Sequence, residues 1–262
     1  MNILSLFDGM SCCQIALNRA GIAYDNYFAS EVDKYAIKIT QKNYPDTIQL
    51  GDIRQIKSSG LPKIELIIGG SPCQGFSRAG KQLNFDDHRS ALFFEYVRLL
   101  EECKPKYFLL ENVRMKREHL EVISEILKTE PILINSALVS AQNRRRYYWT
   151  NIPGARLPIA DRGILLQDVI DGAVTDKEKS YCINAYYCNT WNNYKYYLKK
   201  SRGQLVWCKL TKKWRKLTPV ECERLQTVPD FYTEGISNTQ RYKVLGNGFT
   251  VDIIVELLKG LK

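Results

Sequence analysis

The sequence predicts an α/β protein with a doubly wound, mostly parallel sheet and a small basic region set into it, and three observations carry that expectation. Short apolar runs such as Leu66-Ile67-Ile68 suit strands covered on both faces. Amphipathic helical segments alternate with these runs, the pattern of parallel βαβ units. Acids and one cysteine recur just past the predicted strands, at the sheet edge where open α/β folds bind ligands. A chain of 262 residues can bury such a core without disulfide staples.

In chain order, Asn2 to Phe7 reads as the first strand, Asp8-Gly9-Met10-Ser11 as a turn and Cys12 to Ala20 as a helix. Tyr24 to Ser30 reads as a second strand ending at Glu31, followed by a helix from Val32 to Asn43. Glu31 stands at the spacing from the glycine turn at which an acid on a second strand tip can hold ribose hydroxyls. A third strand is expected to end near Gly51-Asp52-Ile53. The run Leu66 to Ile68 then breaks at Gly69, Gly70 and Pro72 and delivers Cys73 on a tight turn, which makes Cys73 a candidate nucleophile. Arg78 to Asp87 is polar and reads as a loop able to close over a bound partner.

A helix is expected through Leu92, Phe93, Tyr96, Leu99 and Leu100, then a buried strand Tyr107 to Leu110 with Glu111-Asn112-Val113 at its tip. Glu118 to Thr129 reads as an amphipathic helix and Ile132 to Val139 as the next strand. Three consecutive arginines at Arg144 to Arg146 ordinarily mean a solvated turn, but if Arg144 and Arg146 point the same way at strand period two they form a paired anion or base clamp. Asn151 to Pro158 reads as a linker. Thr218-Pro219, with Glu221 in capping-box spacing, starts a helix to Gln226. Leu245-Gly-Asn-Gly248 reads as a turn and Val251 to Leu261 as a closing helix. The expected division is therefore an α/β domain over 1–154, a small basic region over 155–216, and a segment over 217–262 that returns to complete the first domain.

The formal charge of +10 is concentrated in one stretch. Lys177 to Lys216 holds eleven basic residues and one acid, Glu178, so the excess lies there and the remainder balances. Tyr181, Tyr186, Tyr187, Trp191, Tyr194, Tyr196, Tyr197, Trp207 and Trp214 are interleaved with it, equipment for phosphate contact and base stacking. The eight cysteines include no C-x-x-C pair, and with only two histidines a zinc site is not expected. No signal peptide and no membrane span are read, so the expected location is intracellular and reducing, cytoplasmic for a prokaryotic or phage-encoded chain.

Taken together, these motifs resemble those of the cytosine-C5 DNA methyltransferases, in order and over nearly the whole chain. Leu6-Phe-Asp-Gly9 looks like that family's first cofactor motif, Glu31 like its ribose-binding acid and Asp52-Ile53 like its adenine-binding pair. Ser71-Pro-Cys-Gln74 resembles the nucleophile motif, Glu111-Asn-Val113 the motif that grips the target cytosine, and Gln142-x-Arg144-x-Arg146 the motif beside the flipped base. Leu245-Gly-Asn-Gly248 resembles the late motif that completes the cofactor pocket. Val139-Ser-Ala141 and Tyr147-Tyr-Trp149 look most like the eukaryotic de novo branch. Two departures stand out: Ser11 and Cys12 occupy places where many members have a further glycine, and the recognition region is short.

The resemblance implies a Rossmann-like methyltransferase sheet and S-adenosyl-L-methionine as cofactor, released as S-adenosyl-L-homocysteine. It implies cofactor contacts from Phe7, Asp8, Gly9, Met10, Ser11, Glu31, Val32, Asp52, Ile53, Pro72, Leu92, Asn247 and Gly248. Cys73 would add to C6 of a cytosine turned out of double-stranded DNA, with Glu111, Arg144 and Arg146 completing the catalytic set. DNA contacts are expected from Gln74, Ser77, Arg78, Asn112, Gln142, Lys199, Lys200 and Arg202, and a monomer is the expected state. Two other readings stay open: a tRNA cytosine methyltransferase with the same catalytic motifs, and a catalytically silent DNA-binding regulator.

Overall fold

The computed structural model describes residues 1–71, 91–189 and 203–261. Its main sheet has seven strands in the order β3-β2-β1-β4-β5-β7-β6: β1 Asn2–Leu6, β2 Asn26–Ser30, β3 Ile48–Gln49, β4 Leu66–Gly69, β5 Tyr107–Val113, β6 Ile132–Asn135 and β7 Arg145–Thr150. Neighbours pair in parallel except at β7, which runs antiparallel to both β5 and β6. That reversal brings the first residues of β7 to the edge where the parallel strands end. The arginine run is thereby carried to the ligand-binding side of the sheet.

Both faces of the sheet are covered, and the strand period of two sorts the side chains between them. Ile3, Ile68, Leu109 and Tyr148 face one layer with α1 (Cys12–Ala20), α2 (Lys34–Asn43) and the C-terminal helix. Leu4, Ile67, Leu110 and Trp149 face the other with α3 (Ala91–Cys103) and α4 (Arg117–Leu127). The doubly wound expectation is thus met residue by residue.

Several boundaries differ from those expected. The second helix begins at Lys34, not Val32, because the Asp33 side chain accepts from the Tyr35 N–H and caps it. Residues 132–139 are strand only to Asn135 and then turn through a short 3₁₀ segment, Ser136–Leu138. Glu111 lies within β5, opposite Tyr148 of β7, and not beyond its end. The capping box at Thr218 and Glu221 forms as read and opens α5 (Pro219–Leu225). Residues expected as a turn near 245 are the last turn of a helix, α6 (Asn238–Asn247), with Gly248 as its C-cap. The chain closes with α7 (Val251–Leu258) against α1.

In and just before the basic stretch lies a three-stranded antiparallel sheet of β8 Ala173–Val174, β9 Leu205–Cys208 and β10 Lys213–Lys216. It is fastened to the catalytic side by Arg215, whose guanidinium grips the wholly buried Glu221 carboxylate through two 2.8 Å hydrogen bonds. A bridge between Gln142 and Ser180 makes a second tie. Among the described residues no helix is long and apolar enough to cross a membrane.

Candidate active site

Glu111 is the centre of the functional edge. Its strand is pinned between β4 and β7, and its carboxylate is buried at 9% exposure. The Arg146 Nε lies 2.9 Å from Glu111 Oε1, a charge contact that is not aligned as a hydrogen bond. Burial works against the Arg146 charge, but the fields of Glu111, Cys182 and Tyr148 and a hydrogen bond to Cys182 outweigh it and hold the guanidinium protonated. Gly70, at the end of β4, is closed in on the same side. A Cβ there would stand 3.2 Å from Glu111 Oε2 and 3.1 Å from Phe249, a neighbour that no motif had singled out.

Next to Glu111, Asn112 is buried and donates from Nδ2 to the carbonyl and hydroxyl oxygens of Ser71, each at 3.3 Å. Asn112 was expected to touch DNA. In this structure the side chain docks the residue two before Cys73 against the Glu111 strand. Pro72, Cys73, Gln74, Ser77 and Arg78, with the expected Arg78 to Asp87 loop, lie outside the described residues, as do Lys199, Lys200 and Arg202.

Period two does place Arg144 and Arg146 on one side, where both guanidiniums reach Cys182 Sγ, at 3.4 and 3.9 Å. Their roles nevertheless separate. Arg144 is 3% exposed and donates to the carbonyls of Ile183 at 3.0 Å, Gly246 at 3.2 Å and Gly248 at 2.9 Å. A guanidinium so occupied braces the chain at Ile183 against the C-terminal segment. Gln142 is held likewise. It is wholly buried, donating to the Leu225 carbonyl at 2.7 Å and Gln226 Oε1 at 2.9 Å while accepting from the Ile183 N–H.

The turn after β1 is the second feature of this edge. Phe7, Gly9 and Ser11 all take positive φ, at 58, 61 and 62°. Such a backbone favours glycine, and here two of the three residues are not glycine. A Cβ on Gly9 would meet no atom within 4 Å, so the turn leaves open space beside its backbone. Glu31 closes it from the β2 side: Oε2 accepts the Gly9 N–H at 2.8 Å, and Oε1 accepts those of Val32 and Asp33. Three of about four acceptor positions on that carboxylate are thereby filled. Val32 itself is exposed, and Phe7 and Leu92 are partly buried against one core layer.

Met10 and Ser11, expected to touch a cofactor, have wholly buried side chains. At zero exposure their backbone is covered as well. Asp8 is buried too, with Oδ1 accepting from the Tyr27 hydroxyl at 2.7 Å and Oδ2 unpartnered. Burial pushes its carboxyl up to about 6, against the opposing pull of the Ser5, Tyr27 and Ser11 hydroxyls around it. Asp52 is turned back onto its own 3₁₀ segment, where the Arg54 guanidinium and N–H hold its carboxyl below the usual range. Ile53 is buried in the core, not displayed. Gly248 permits the C-terminal segment to close behind the turn, since a Cβ there would stand 3.0 Å from Met10 Cε and 3.2 Å from Cys12 Sγ. Asn247, before it, is exposed.

The other thiols sort by environment. Burial pushes Cys12 up to about 12 and Cys13 and Cys222 well above their ordinary value, so none of these three supplies a thiolate at neutral pH. Cys208 is lowered to about 7 by hydrogen bonds from Thr211, but it lies on β9 of the small sheet. The aromatic set is reduced as well. Tyr187 is buried and bonded to the Gln204 carbonyl, and Trp207 packs edge-on against Trp214 across the β9–β10 hairpin at 5.6 Å. Tyr186 stays exposed, and Trp191, Tyr194, Tyr196 and Tyr197 lie outside the described residues.

Comparison with known proteins decides the family. The sequence profile of the C-5 cytosine-specific DNA methylases matches residues 1–153 and 165–262. The chain belongs to that family, a family of methyltransferases. It is 30% identical to the type II methyltransferase M1.ScrFI of Lactococcus lactis subsp. cremoris over 298 aligned positions, covering 96% of this chain and 75% of that protein. It is 37% identical over 161 positions to the orphan methyltransferase M.SPRI of Bacillus phage SPR, covering 56% of this chain and 37% of the phage protein. Among solved structures, the Dnmt2 methyltransferase of S. pombe superposes with a TM-score of 0.75 over all of this chain and 99% of its own, at 18% identity. The Spodoptera frugiperda DNMT2 mutant gives a TM-score of 0.74 over 99% of both chains, at 23% identity. At such identities these two likenesses speak for the fold.

Proposed function

We propose that this protein transfers a methyl group from S-adenosyl-L-methionine to C5 of a cytosine turned out of duplex DNA, with Cys73 as the nucleophile. The observation that carries this reading is the Glu111 site itself. A buried carboxylate is set against Arg146, and Asn112 of the same strand fastens Ser71, two residues before Cys73 in sequence.

The thiolate of Cys73 adds to C6, which makes C5 electron-rich, and after methyl transfer the C5 proton leaves and the Cys73–C6 bond breaks. Glu111 holds the polar edge of the pyrimidine while charge develops on the ring, and Arg146 fixes that carboxylate in place. When bound, S-adenosyl-L-methionine supplies the electrophilic methyl. Glu31 and the turn at Phe7 to Gly9 fit its nucleoside: the acid keeps acceptor capacity for a hydroxyl and Gly9 leaves room beside the turn. Asp52 joins only if Arg54 yields it.

Residues 1–154 and 217–262 form the catalytic part in this account, and 155–216 the recognition part, in an intracellular protein acting as a monomer. The exposed Lys209, Lys212 and Lys213 and Tyr186 are its remaining described candidates for DNA contact. By contrast, Lys179 is spent on the carbonyls of Ala137, Ser140 and Ile164.

The test is transfer of tritiated methyl from S-adenosyl-L-methionine to mixed-sequence duplex DNA and, in parallel, to tRNA. Label in 5-methylcytosine of the duplex is expected. Label in tRNA alone, or in neither, overturns the proposal.

A further inference from the structure

Beside the Glu111 pair, the ends of β5, β7 and β6 meet in a cavity of about 610 Å³ lined by Val113, Arg114, Asn143, Arg145 and Arg146. The register explains the gathering. Val113 pairs with Arg146, and Asn135 with Arg145, so three strand ends open on one groove. Arg146 is a wall common to this groove and to the Glu111 site. Arg114 and Arg145 are exposed, and among the described residues neither has a carboxylate within ion-pair reach. The Asn143 Oδ1 accepts from Asn135 Nδ2 at 3.1 Å, which leaves the Asn143 amide donors turned away from that bond with no partner among the described residues.

We propose that this groove holds the phosphodiester backbone of the DNA strand whose cytosine reaches Glu111, through Arg114, Arg145 and Asn143. The inference rests on the function proposed above and adds a sequence-independent contact outside the basic stretch. Guanidiniums match phosphate oxygens as planar forks, and an amide N–H supplies a neutral donor between them. The groove carries an excess of positive charge once Arg146 is set against Glu111. Contacts to phosphates position a nucleic acid without reading its bases. That is the service the groove can give a short recognition region, where few side chains are available to fix register.

The experiment compares the full chain with Arg114→Gln/Arg145→Gln, measuring anisotropy of a labelled mixed-sequence duplex from low to moderate salt. A second double variant, Lys57→Gln/Lys63→Gln, removes the same charge before the other end of β4. The groove variant should lose up to about 1.8 in the slope of log affinity against log salt, at roughly 0.9 per phosphate contact. The control should lose clearly less, and both should keep the wild-type melting temperature and S-adenosyl-L-methionine affinity. Equal slopes for wild type and groove variant overturn the groove, as does an equal loss in the control or a loss seen with tRNA and not with DNA. The two readings fail separately. A wild-type protein that methylates duplex DNA while the slopes match removes the groove alone. One that transfers no methyl while the groove variant loses slope removes the catalytic proposal and leaves DNA binding.

Discussion

Replacing Arg144 by methionine separates a structural brace from a catalytic arginine. The side chain keeps its approximate length and loses its donors, so the carbonyls of Ile183, Gly246 and Gly248 lose their 2.9 to 3.2 Å partners inside the protein. Hydrogen bonds to a charged donor contribute about 1.5–3 kcal/mol each, partly offset because the variant no longer buries a charge. Three such bonds less the relieved burial of a charge leave a net loss of about 3–5 kcal/mol. In a chain of this size that lowers the melting temperature by about 6–15 °C. Calorimetric melting would read it, and hydrogen exchange should show loosening at residues 182–184 and 246–248. Arg144→Lys should fall between, because one ammonium cannot span acceptors on two segments. A methionine variant that melts within about 2 °C of wild type yet has lost turnover would return Arg144 to the catalytic set.

Asp8→Asn should show a pH-dependent gain in stability. The Asp8 carboxyl is pushed up to about 6 from an ordinary 3.8, so the folded state binds its proton more tightly than the unfolded state does. Its contribution is fully present below the ordinary value and is lost as pH rises through about 6. Urea midpoints should therefore favour the asparagine variant by roughly 2–3 kcal/mol near pH 8 and scarcely at all near pH 4; a pH-independent difference would remove the argument. Glu31→Gln should weaken S-adenosyl-L-methionine binding by about tenfold or more, because an amide cannot accept from Gly9 with one end and from Val32 and Asp33 with the other without presenting N–H to N–H. Asp52→Ala should weaken it too, whereas Arg54→Ala should leave it equal or tighter by freeing Asp52; calorimetry showing unchanged affinity for both acid variants would sink the pocket assignment.

Much of the fold is legible in the sequence because it rests on local pattern. The buried runs of β1, β4 and β5, the exact span of α1 and the capping box at Thr218 each follow from neighbouring residues. The misreadings share a cause in distant partners. Glu111 looks like a residue past a strand end until β7 pairs with it and extends β5 to Val113. Residues 245–248 have the composition of a turn, yet Gly246 is helical, packed where a Cβ would meet the backbone of Asn184 and Ala185. Alternation correctly sets Arg144 and Arg146 on one side but is silent on burial, which depends on chain some 40 and 100 residues further on. Cys182, Phe249 and the Arg114–Arg145 groove have no local signal, since only β7 running backwards and the return of the C-terminal segment bring them to this edge.

The central claim is that Cys73 becomes covalently joined to the target base. A duplex carrying 5-fluorocytosine at the methylated position should accept the methyl group and then stall, because fluorine cannot leave as a cation. The expected product survives denaturing electrophoresis, requires S-adenosyl-L-methionine to accumulate, and maps by peptide mass spectrometry to Cys73. It should be absent from Cys73→Ser and slower to form in Glu111→Gln. A cross-link at Cys12, Cys103, Cys208 or any other thiol, or full turnover by Cys73→Ser, would contradict the mechanism.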